Sequence, residues 1–325
     1  MSLQPILQPL SQLLGLRIQF CEDLEHPSRC TENLSAGDVL LLQNLRFKPG
    51  EEKNDLAFAR SLADCGDIWV NDAFSAAHRA HASTEGLGHV LPAFAGRTMQ
   101  AELDALTKAL EAPQRPVAAI VGGAKISTKL DLLGNLIAKV DALIIGGAMA
   151  NTFLVAQGID VGRSLAERDL GGTARDILAK AKARGCEVVL PVDAVVAQKF
   201  EAHAPSRIVA LNDVGPADMI LDIGPKSIDQ VISVLGRMKT LVWNGPFGAF
   251  EMQPFDTGTV RVAHAAADLT AAGKLVSVAG GGDTVAALNA ASIAQKLTYV
   301  STAGGAFLEW MEGKALPGVE ILRVK

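Results

Sequence analysis

Short apolar runs that end in glycine, asparagine or aspartate recur along this chain and restrict the folds open to it. Residues 117–121 lead into a glycine pair, 241–243 into Asn-Gly-Pro, and 275–279 into three glycines and an aspartate. The runs lack the alternation of apolar and polar residues that a half-exposed strand shows, so we expect helices on both faces of the sheet. The pattern predicts βαβ units and a doubly wound parallel sheet in an α/β fold.

Polar and glycine-rich segments follow these strands, at the edge where an open parallel sheet binds its ligand. We therefore expect the chemistry at the carboxyl ends of the strands. Further predicted strands of the same kind lie at residues 38–42, 68–70, 143–145, 188–190, 219–221 and 300.

Length, charge and hydropathy exclude several classes of protein. A chain of 325 residues, 49% of them hydrophobic, is long enough for two domains with buried cores. The net charge of −5 argues against a nucleic-acid partner, which needs a dense lysine and arginine surface. No apolar run approaches the roughly 20 residues of a membrane helix, and the first residues do not resemble a signal peptide. We predict a cytoplasmic protein with no membrane partner.

Four cysteines are scattered along the chain without a CxxC spacing, at Cys21, Cys30, Cys65 and Cys186. The sequence predicts free thiols in a reducing compartment.

A helical stripe marks a domain boundary. Met99, Leu103, Leu106 and Leu110 are spaced by 4, 3 and 4 residues, and prolines follow at 113 and 116. We predict an N-terminal domain over residues 1–96, a connecting helix over 97–114 and a C-terminal domain over 115–305.

The segment of residues 280–284, Gly-Gly-Gly-Asp-Thr, follows a predicted strand and precedes a helical stretch. Glycines allow backbone N–H groups to approach a ligand closely, and a helix N-terminus favours phosphate. Asp283 would repel phosphate unless a metal ion lay between them, which makes it a candidate Mg²⁺ ligand. A helix cap with glycines that serve only the turn explains this segment equally well.

Two lysines, Lys125 and Lys129, follow the glycine pair at 122 and 123. Four residues apart on a helix, they would share one face and point at the same ligand. The P-loop string GxxxxGK[ST] does not occur in the chain. Alone, the pair is better explained as solvated lysines. Because other glycine loops also follow predicted strands, the pair beside such a loop favours an anionic ligand.

Residues 243–251, Trp-Asn-Gly-Pro-Phe-Gly-Ala-Phe-Glu, form a third candidate. Pro246 and the glycines would make a rigid loop able to wall a flat purine, and Glu251 could accept hydrogen bonds from ribose hydroxyls. A well-packed turn, with Trp243 and Phe250 in the core, is the equal alternative.

Basic residues follow two strands of the first third of the chain: Arg46 follows one, and His78 and Arg79 follow the other. Arginine binds carboxylate and phosphate through bidentate contacts, so these are candidates for an anionic substrate. Each arginine taken singly is better explained by a solvated surface. His78 and His81 lack further ligands nearby, and we predict no metal site there.

These strings together resemble the phosphoglycerate kinases. The matching segments run in order along nearly the whole chain, at residues 43–55, 70–84, 122–129, 144–154, 243–251, 280–284 and 300–320. The resemblance implies two doubly wound α/β domains joined by a helix, and a monomeric enzyme of glycolysis. It would move a phosphoryl group between 1,3-bisphosphoglycerate and ADP, with Mg²⁺ and ATP or ADP in the C-terminal domain and 3-phosphoglycerate in the N-terminal one.

The resemblance also implies roles by position. Lys125 would steady the transferring phosphoryl group and Lys129 the nucleotide phosphates, while Gly281 and Gly304 would face the transferring group. Asp283 would hold Mg²⁺. The remaining nucleotide site would comprise Gly122, Gly123, Gly146, Gly147, Leu221, Asn244, Pro246, Glu251, Gly280, Gly282 and Thr284, and the 3-phosphoglycerate site Arg46, His78 and Arg79. The C-terminal segment, residues 306–325, would return to the N-terminal domain.

The chain departs from the family pattern in two respects. Ala303 and Phe307 stand where the family often has glycine and serine, and Phe307 would crowd a phosphate-facing loop. The family's opening strand–helix–strand unit, with its DFN and HLGRP strings, has no counterpart here. We therefore expect a truncated N-terminal domain that lacks roughly 30 residues or more, with exposed strand edges. Several basic substrate-binding residues would be absent with them.

Two alternatives remain open from the sequence. One is a catalytically impaired nucleotide-binding fragment of such a kinase, because part of the substrate site is absent. The other is an unrelated sugar or carboxylate kinase with a similar sheet.

Overall fold

The computed structural model describes residues 1–323, which fall into two compact units. The N-terminal unit comprises Met1–Ala101 and the returning segment that starts at Ala315, and the C-terminal unit comprises Glu102–Lys314. The division falls within the helix Arg97–Leu106, which continues as a π-helical turn over Thr107–Glu111. The returning segment thus begins later in the chain than residue 306.

The helices and strands alternate along most of the chain. The strands are β1 (Ile18–Cys21), β2 (Val39–Leu42), β3 (Trp69–Asn71), β4 (Ala93–Ala95), β5 (Val117–Val121), β6 (Ala142–Ile145), β7 (Glu187–Val189), β8 (Asp193–Ala197), β9 (Ser206–Ala210), β10 (Met219–Ile223), β11 (Thr240–Asn244), β12 (Val276–Ala279) and β13 (Tyr299–Val300). The α-helices are α1 (Leu7–Leu14), α2 (Pro49–Glu52), α3 (Leu56–Ala63), α4 (Arg97–Leu106), α5 (Leu130–Lys139), α6 (Ala148–Ala156), α7 (Gly171–Arg184), α8 (Pro225–Leu235), α9 (Thr257–Ala271), α10 (Gly282–Ala290), α11 (Gly304–Met311) and α12 (Pro317–Glu320). Within residues 1–323, none of the helices is long and apolar enough to cross a lipid bilayer.

The C-terminal unit is built on a six-stranded parallel sheet in the order β13-β12-β11-β5-β6-β7. Every residue of β5, β6 and β11 is buried, as expected for strands covered on both faces. The core beneath the sheet includes Ile120, Trp243, Val262 and Leu288. The predicted doubly wound α/β fold is confirmed here.

A second sheet of the same unit is antiparallel and was not predicted. It has the order β10-β8-β9, with β8 paired antiparallel to both neighbours. The prediction that residues 219–221 belong to the parallel sheet is therefore wrong, because they lie in β10. Strand β9 exposes most of its residues and carries only one buried side chain, Val209, so it lacks the apolar run that identified the other strands.

The N-terminal unit has parallel strands that are divided between two separate pairs, β1–β2 and β3–β4. Its strands are short and only partly covered. Val70 of β3 and Phe94 of β4 are register partners, and they remain 52% and 53% exposed. Nearby Ile68 is also exposed. The smaller sheets bury less apolar surface and so contribute less to folding than the continuous sheet of the C-terminal unit.

Cys21 and Cys30 form a disulfide, with their Cα atoms 5.9 Å apart. The prediction of free thiols is wrong for these two residues. Cys21 ends β1 and Cys30 lies in the 3₁₀ helix Pro27–Thr31. The turn between these two elements brings the two cysteines together. Cys65 and Cys186 are free. Burial raises the pKa of both thiols, that of Cys186 to about 11.

Candidate active site

The carboxyl ends of β5, β6, β11 and β12 lie close together because these strands are consecutive in the parallel sheet. A glycine-containing loop follows each of them, and the loops contain Gly122 and Gly123, Gly146 and Gly147, Gly245, and Gly280, Gly281 and Gly282. The strand order therefore brings together, at one edge of the sheet, segments that are far apart in the sequence. The geometry matches the edge at which doubly wound sheets bind ligands.

Two of these glycines are required by the backbone. Gly147 has a φ of 68°, and a Cβ there would lie 2.5 Å from the Gly123 carbonyl oxygen. Gly281 has a φ of 95°, and a Cβ there would lie 2.3 Å from the Asn244 Nδ2. Any side chain at either position would strain the backbone and separate the loops.

Asn244 connects three of the loops. Its side-chain amide donates to the Gly280 carbonyl oxygen at 2.8 Å, and its Oδ1 accepts a hydrogen bond from Lys129 Nζ. Its own carbonyl oxygen accepts from the Gly122 N–H at 2.8 Å. The hydroxyl of Thr284 accepts from the Gly245 N–H at 2.6 Å. Hydrogen bonds thus connect some of the predicted nucleotide-site residues, namely Gly122, Lys129, Asn244, Gly280 and Thr284.

The two predicted lysines differ in environment. Lys129 is partly buried, and burial lowers the pKa of its ammonium, although Asp283 and Glu312 oppose the shift. Lys125 is exposed to solvent. Burial disfavours the charged form of a lysine, and an anionic ligand beside Lys129 would favour that form.

A cavity of about 510 Å³ opens at this edge of the sheet. Six of the predicted residues line it, namely Gly123, Gly147, Leu221, Pro246, Glu251 and Asp283. Leu165 and Phe200 also line it, and both expose large apolar side chains. Sequence reasoning missed these two residues because neither belongs to a glycine-rich string and exposure cannot be read from sequence.

Asp222 supports the loop that carries Glu251. Its buried carboxylate accepts hydrogen bonds from the N–H groups of Gly258, at 2.7 Å, and Ile223, at 2.8 Å. A Cβ on Gly248 would lie 2.4 Å from its Oδ1, so the loop packs directly on the carboxylate. Burial raises the pKa of Asp222 to about 8 despite the two hydrogen bonds. Asp222 lies in β10 and follows the apolar run of residues 219–221, but its support of this loop was not predicted, because that role depends on contacts with residues distant in the chain.

The loop after β13 leads to Gly304, the first residue of α11. Ser301 donates its hydroxyl to the buried Glu102 at 3.1 Å and accepts from the Ala303 N–H at 3.2 Å. Burial raises the pKa of the Glu102 carboxyl. Phe307 is fully buried, and a Cβ on Gly280 would lie 2.7 Å from its ring. The ring therefore packs against the first glycine of the β12 loop.

The three basic residues predicted for the substrate lie in the N-terminal unit. Arg46 follows β2 and its Nε lies 4.0 Å from Glu52 Oε1. Arg79 Nε donates to His78 Nε2 at 3.2 Å, whereas His78 Nδ1 is buried and has no hydrogen-bond partner among residues 1–323. Because β2 and β3 belong to different sheets, no common sheet edge brings Arg46 to the histidine. The role of these residues stays a prediction.

A six-stranded parallel sheet with glycine loops and a cavity at its carboxyl edge defines a doubly wound α/β protein of the ligand-binding class. The family model described as phosphoglycerate kinase matches residues 1–314. The phosphoglycerate kinases of Bradyrhizobium diazoefficiens and Rhodopseudomonas palustris are each 62% identical to this chain, and the matches cover 100% of it and 82% of each relative. The chain therefore belongs to the phosphoglycerate kinase family, and its class of activity is that of a kinase.

Solved structures agree with this assignment. The phosphoglycerate kinase of Coxiella burnetii superimposes with a TM-score of 0.92 at 41% identity, over 99% of this chain and 81% of that one. The enzyme of Pyrococcus horikoshii OT3 gives a TM-score of 0.81 at 29% identity, over 99% and 82%.

Proposed function

We propose that the chain catalyses reversible phosphoryl transfer between 1,3-bisphosphoglycerate and ADP, giving 3-phosphoglycerate and ATP, as a step of glycolysis. The observation that carries the proposal is the contact of Lys129 with Asn244 among the glycine loops. Burial lowers the pKa of this lysine, and an anionic ligand beside it would stabilise its charged form. Phosphoryl transfer relies on positioning and charge neutralisation, which such a group supplies.

The cavity is the proposed nucleotide site. Its volume of about 510 Å³ lies within the usual range of small-molecule pockets. Leu221, Pro246 and Phe200 offer apolar walls for adenine, and Glu251 offers a carboxylate to the ribose hydroxyls. The backbone N–H groups of the loops would hold the phosphates. These loops contain Gly122, Gly123, Gly146, Gly147, Asn244, Gly280, Gly281, Gly282 and Thr284.

Asp283 is the proposed ligand of Mg²⁺. It is exposed in the first turn of α10 and lines the cavity. Within residues 1–323 no cluster of three or more His, Cys, Asp or Glu side chains is arranged to hold a metal ion. Magnesium in kinases is typically bound through one or two carboxylates and the substrate phosphates, so a single aspartate fits an ion that arrives with the nucleotide. The ion would neutralise phosphate charge.

The remaining assignments concern the transferred group and its acceptor. Lys125 would steady the phosphoryl group in flight, and the N–H groups of Gly281 and Gly304 would face it. Arg46, His78 and Arg79 would bind 3-phosphoglycerate, whose carboxylate and phosphate suit bidentate arginine contacts. The buried Nδ1 of His78, which has no hydrogen-bond partner in the part of the chain that the structure describes, supports a polar ligand at that position.

The proposal extends to a cytoplasmic monomer whose partners are small molecules. The net charge of −5 supports the absence of a nucleic-acid partner. Light scattering on the purified chain would test the monomeric state.

Lys129→Met tests the function directly. We expect kcat to fall by about 10²–10³, the usual effect of removing one group that stabilises transition-state charge. The assay couples ATP consumption with 3-phosphoglycerate to NADH oxidation, and calorimetry measures MgADP and 3-phosphoglycerate binding separately. Lys180→Met, on the exposed surface of α7, is the matched control and should keep parental turnover. Parental activity in Lys129→Met would refute the role assigned to Lys129, and absence of turnover in the parent would refute the proposed function. MgADP binding without turnover in the parent would favour a nucleotide-binding protein.

A further inference from the structure

Glu167, which has no role in the assignments above, contacts the turn that carries both lysines. The Ser127 N–H donates to its Oε2 at 2.9 Å, and the Ser127 hydroxyl donates to its Oε1 at 2.5 Å. Both carboxylate oxygens are therefore engaged by one residue. Ser127 begins the 3₁₀ turn Ser127–Lys129, midway between Lys125 and Lys129.

Buried residues of α6 fix the backbone from which Glu167 extends. The Glu167 N–H donates to the Thr152 hydroxyl at 3.0 Å, and the Asn151 side chain donates to the Leu165 carbonyl oxygen at 3.1 Å. Thr152 and Asn151 are both buried. Since α6 follows the Gly147 loop directly, Glu167 joins the lysine turn to a rigid element of the sheet edge.

The charge of Lys125 also acts on Glu167. Desolvation raises the pKa of this carboxyl, but the hydrogen bonds from Ser127 and Ile126 and the Lys125 ammonium outweigh it, and the pKa is lowered overall. The carboxylate is thus ionised at neutral pH, and the ammonium of the exposed Lys125 interacts with its charge. A long lysine side chain loses conformational entropy when it binds a ligand. A fixed charge nearby restricts the side chain before the ligand binds, and so reduces the entropy that is lost on binding.

We propose that Glu167 is a positioning residue for phosphoryl transfer: through Ser127 it fixes the turn next to Lys125, and its charge orients Lys125. This inference rests on the proposed function of Lys125. Glu167 contacts no substrate in this scheme, and its whole effect passes through the turn.

Two substitutions separate its charge from its hydrogen bonds. Glu167→Gln keeps an acceptor for Ser127 but removes the charge and presents an amide to the second donor. Glu167→Ala removes both the charge and the hydrogen-bond acceptors for Ser127. We expect kcat to fall by roughly tenfold in Glu167→Gln and by more in Glu167→Ala, with little change in the nucleotide KM, because ground-state contacts of the cavity are untouched. Ser127→Ala, which removes one of the two donors, should give a smaller loss. Asp176→Asn, on the exposed side of α7, is the control for loss of one negative charge.

A double-mutant cycle with Lys125→Met distinguishes positioning from stabilisation. If Glu167 acts through Lys125, Glu167→Gln should lose kcat in the parent but lose almost nothing further in the Lys125→Met background. An equal loss in both backgrounds, unchanged kcat in both Glu167 variants, or a loss that follows the melting temperature would overturn the inference. Full activity of Lys125→Met alone would instead refute the proposed role of Lys125.

Discussion

The C-terminal and N-terminal units both use parallel strands, but they differ in how those strands are joined. In the C-terminal unit six strands form one sheet, and the strands at its centre are completely buried. In the N-terminal unit four strands form two pairs, and no residue of β2 is fully buried. A continuous sheet buries both of its faces, whereas an isolated pair leaves apolar side chains in water.

The difference extends to the candidate sites. Loops that follow neighbouring strands hydrogen-bond to one another, as Asn244 does to Gly280 and Gly122. In the N-terminal unit Arg46 approaches Glu52 and Arg79 contacts His78, so the basic residues contact near neighbours in sequence. The edge of a continuous sheet therefore holds the residues of a candidate binding site in place before a ligand binds.

Matched isoleucine truncations should give the largest contrast between the units. Ile120 on β5 is 0% exposed and Ile68 beside β3 is 60% exposed. We expect Ile120→Ala to reduce the free energy of unfolding by about 2–5 kcal/mol, because it removes apolar contacts and leaves a cavity. Ile68→Ala should change it by less than about 0.5 kcal/mol. Urea unfolding followed by far-UV circular dichroism measures both, and equal effects would contradict the proposed difference between the cores.

The disulfide should stabilise only the N-terminal unit. Cys30→Ser opens the short loop closed by Cys21 and Cys30, and loop-closure entropy predicts a loss of about 2–3 kcal/mol. Limited proteolysis should then cut faster within residues 1–101, while calorimetric MgADP affinity stays the same. Cys65→Ser, a change of a free thiol in the same unit, is the control. Faster cleavage of the C-terminal unit in Cys30→Ser would argue against this division.

The pH dependence of stability belongs to the C-terminal unit. Burial raises the pKa of Asp222 to about 8 from an ordinary value of 3.8. The folded state thus holds its proton more tightly, so the contribution is complete below pH 4 and is lost as pH rises through 8. Asp222→Asn cannot titrate, and its stability relative to the parent should rise over this interval. Thermal melts at several pH values measure this, and an unchanged difference would show that Asp222 stays ionised throughout.

The strands of the large parallel sheet and the glycine loops were predictable because both signals are local. An apolar run such as residues 117–121 buries all of its side chains only in a sheet that is covered on both faces. The glycines that follow such a run mark the turn after the strand. Strand β9 was not predicted because its side chains are mostly exposed. The Cys21–Cys30 disulfide was not predicted because only the particular conformation of the turn between the two cysteines brings them together.

By itself, then, the sequence determined the class of fold, the family resemblance and the residues that follow each strand, since composition and spacing act over a few residues at a time. Only the tertiary structure decided which loops meet. The order β12-β11-β5-β6 places Asn244 between Lys129 and Gly280, and the packing of α6 places Glu167 on Ser127. Such contacts join residues far apart in the chain, and their partners depend on strand order and packing, which local patterns do not encode.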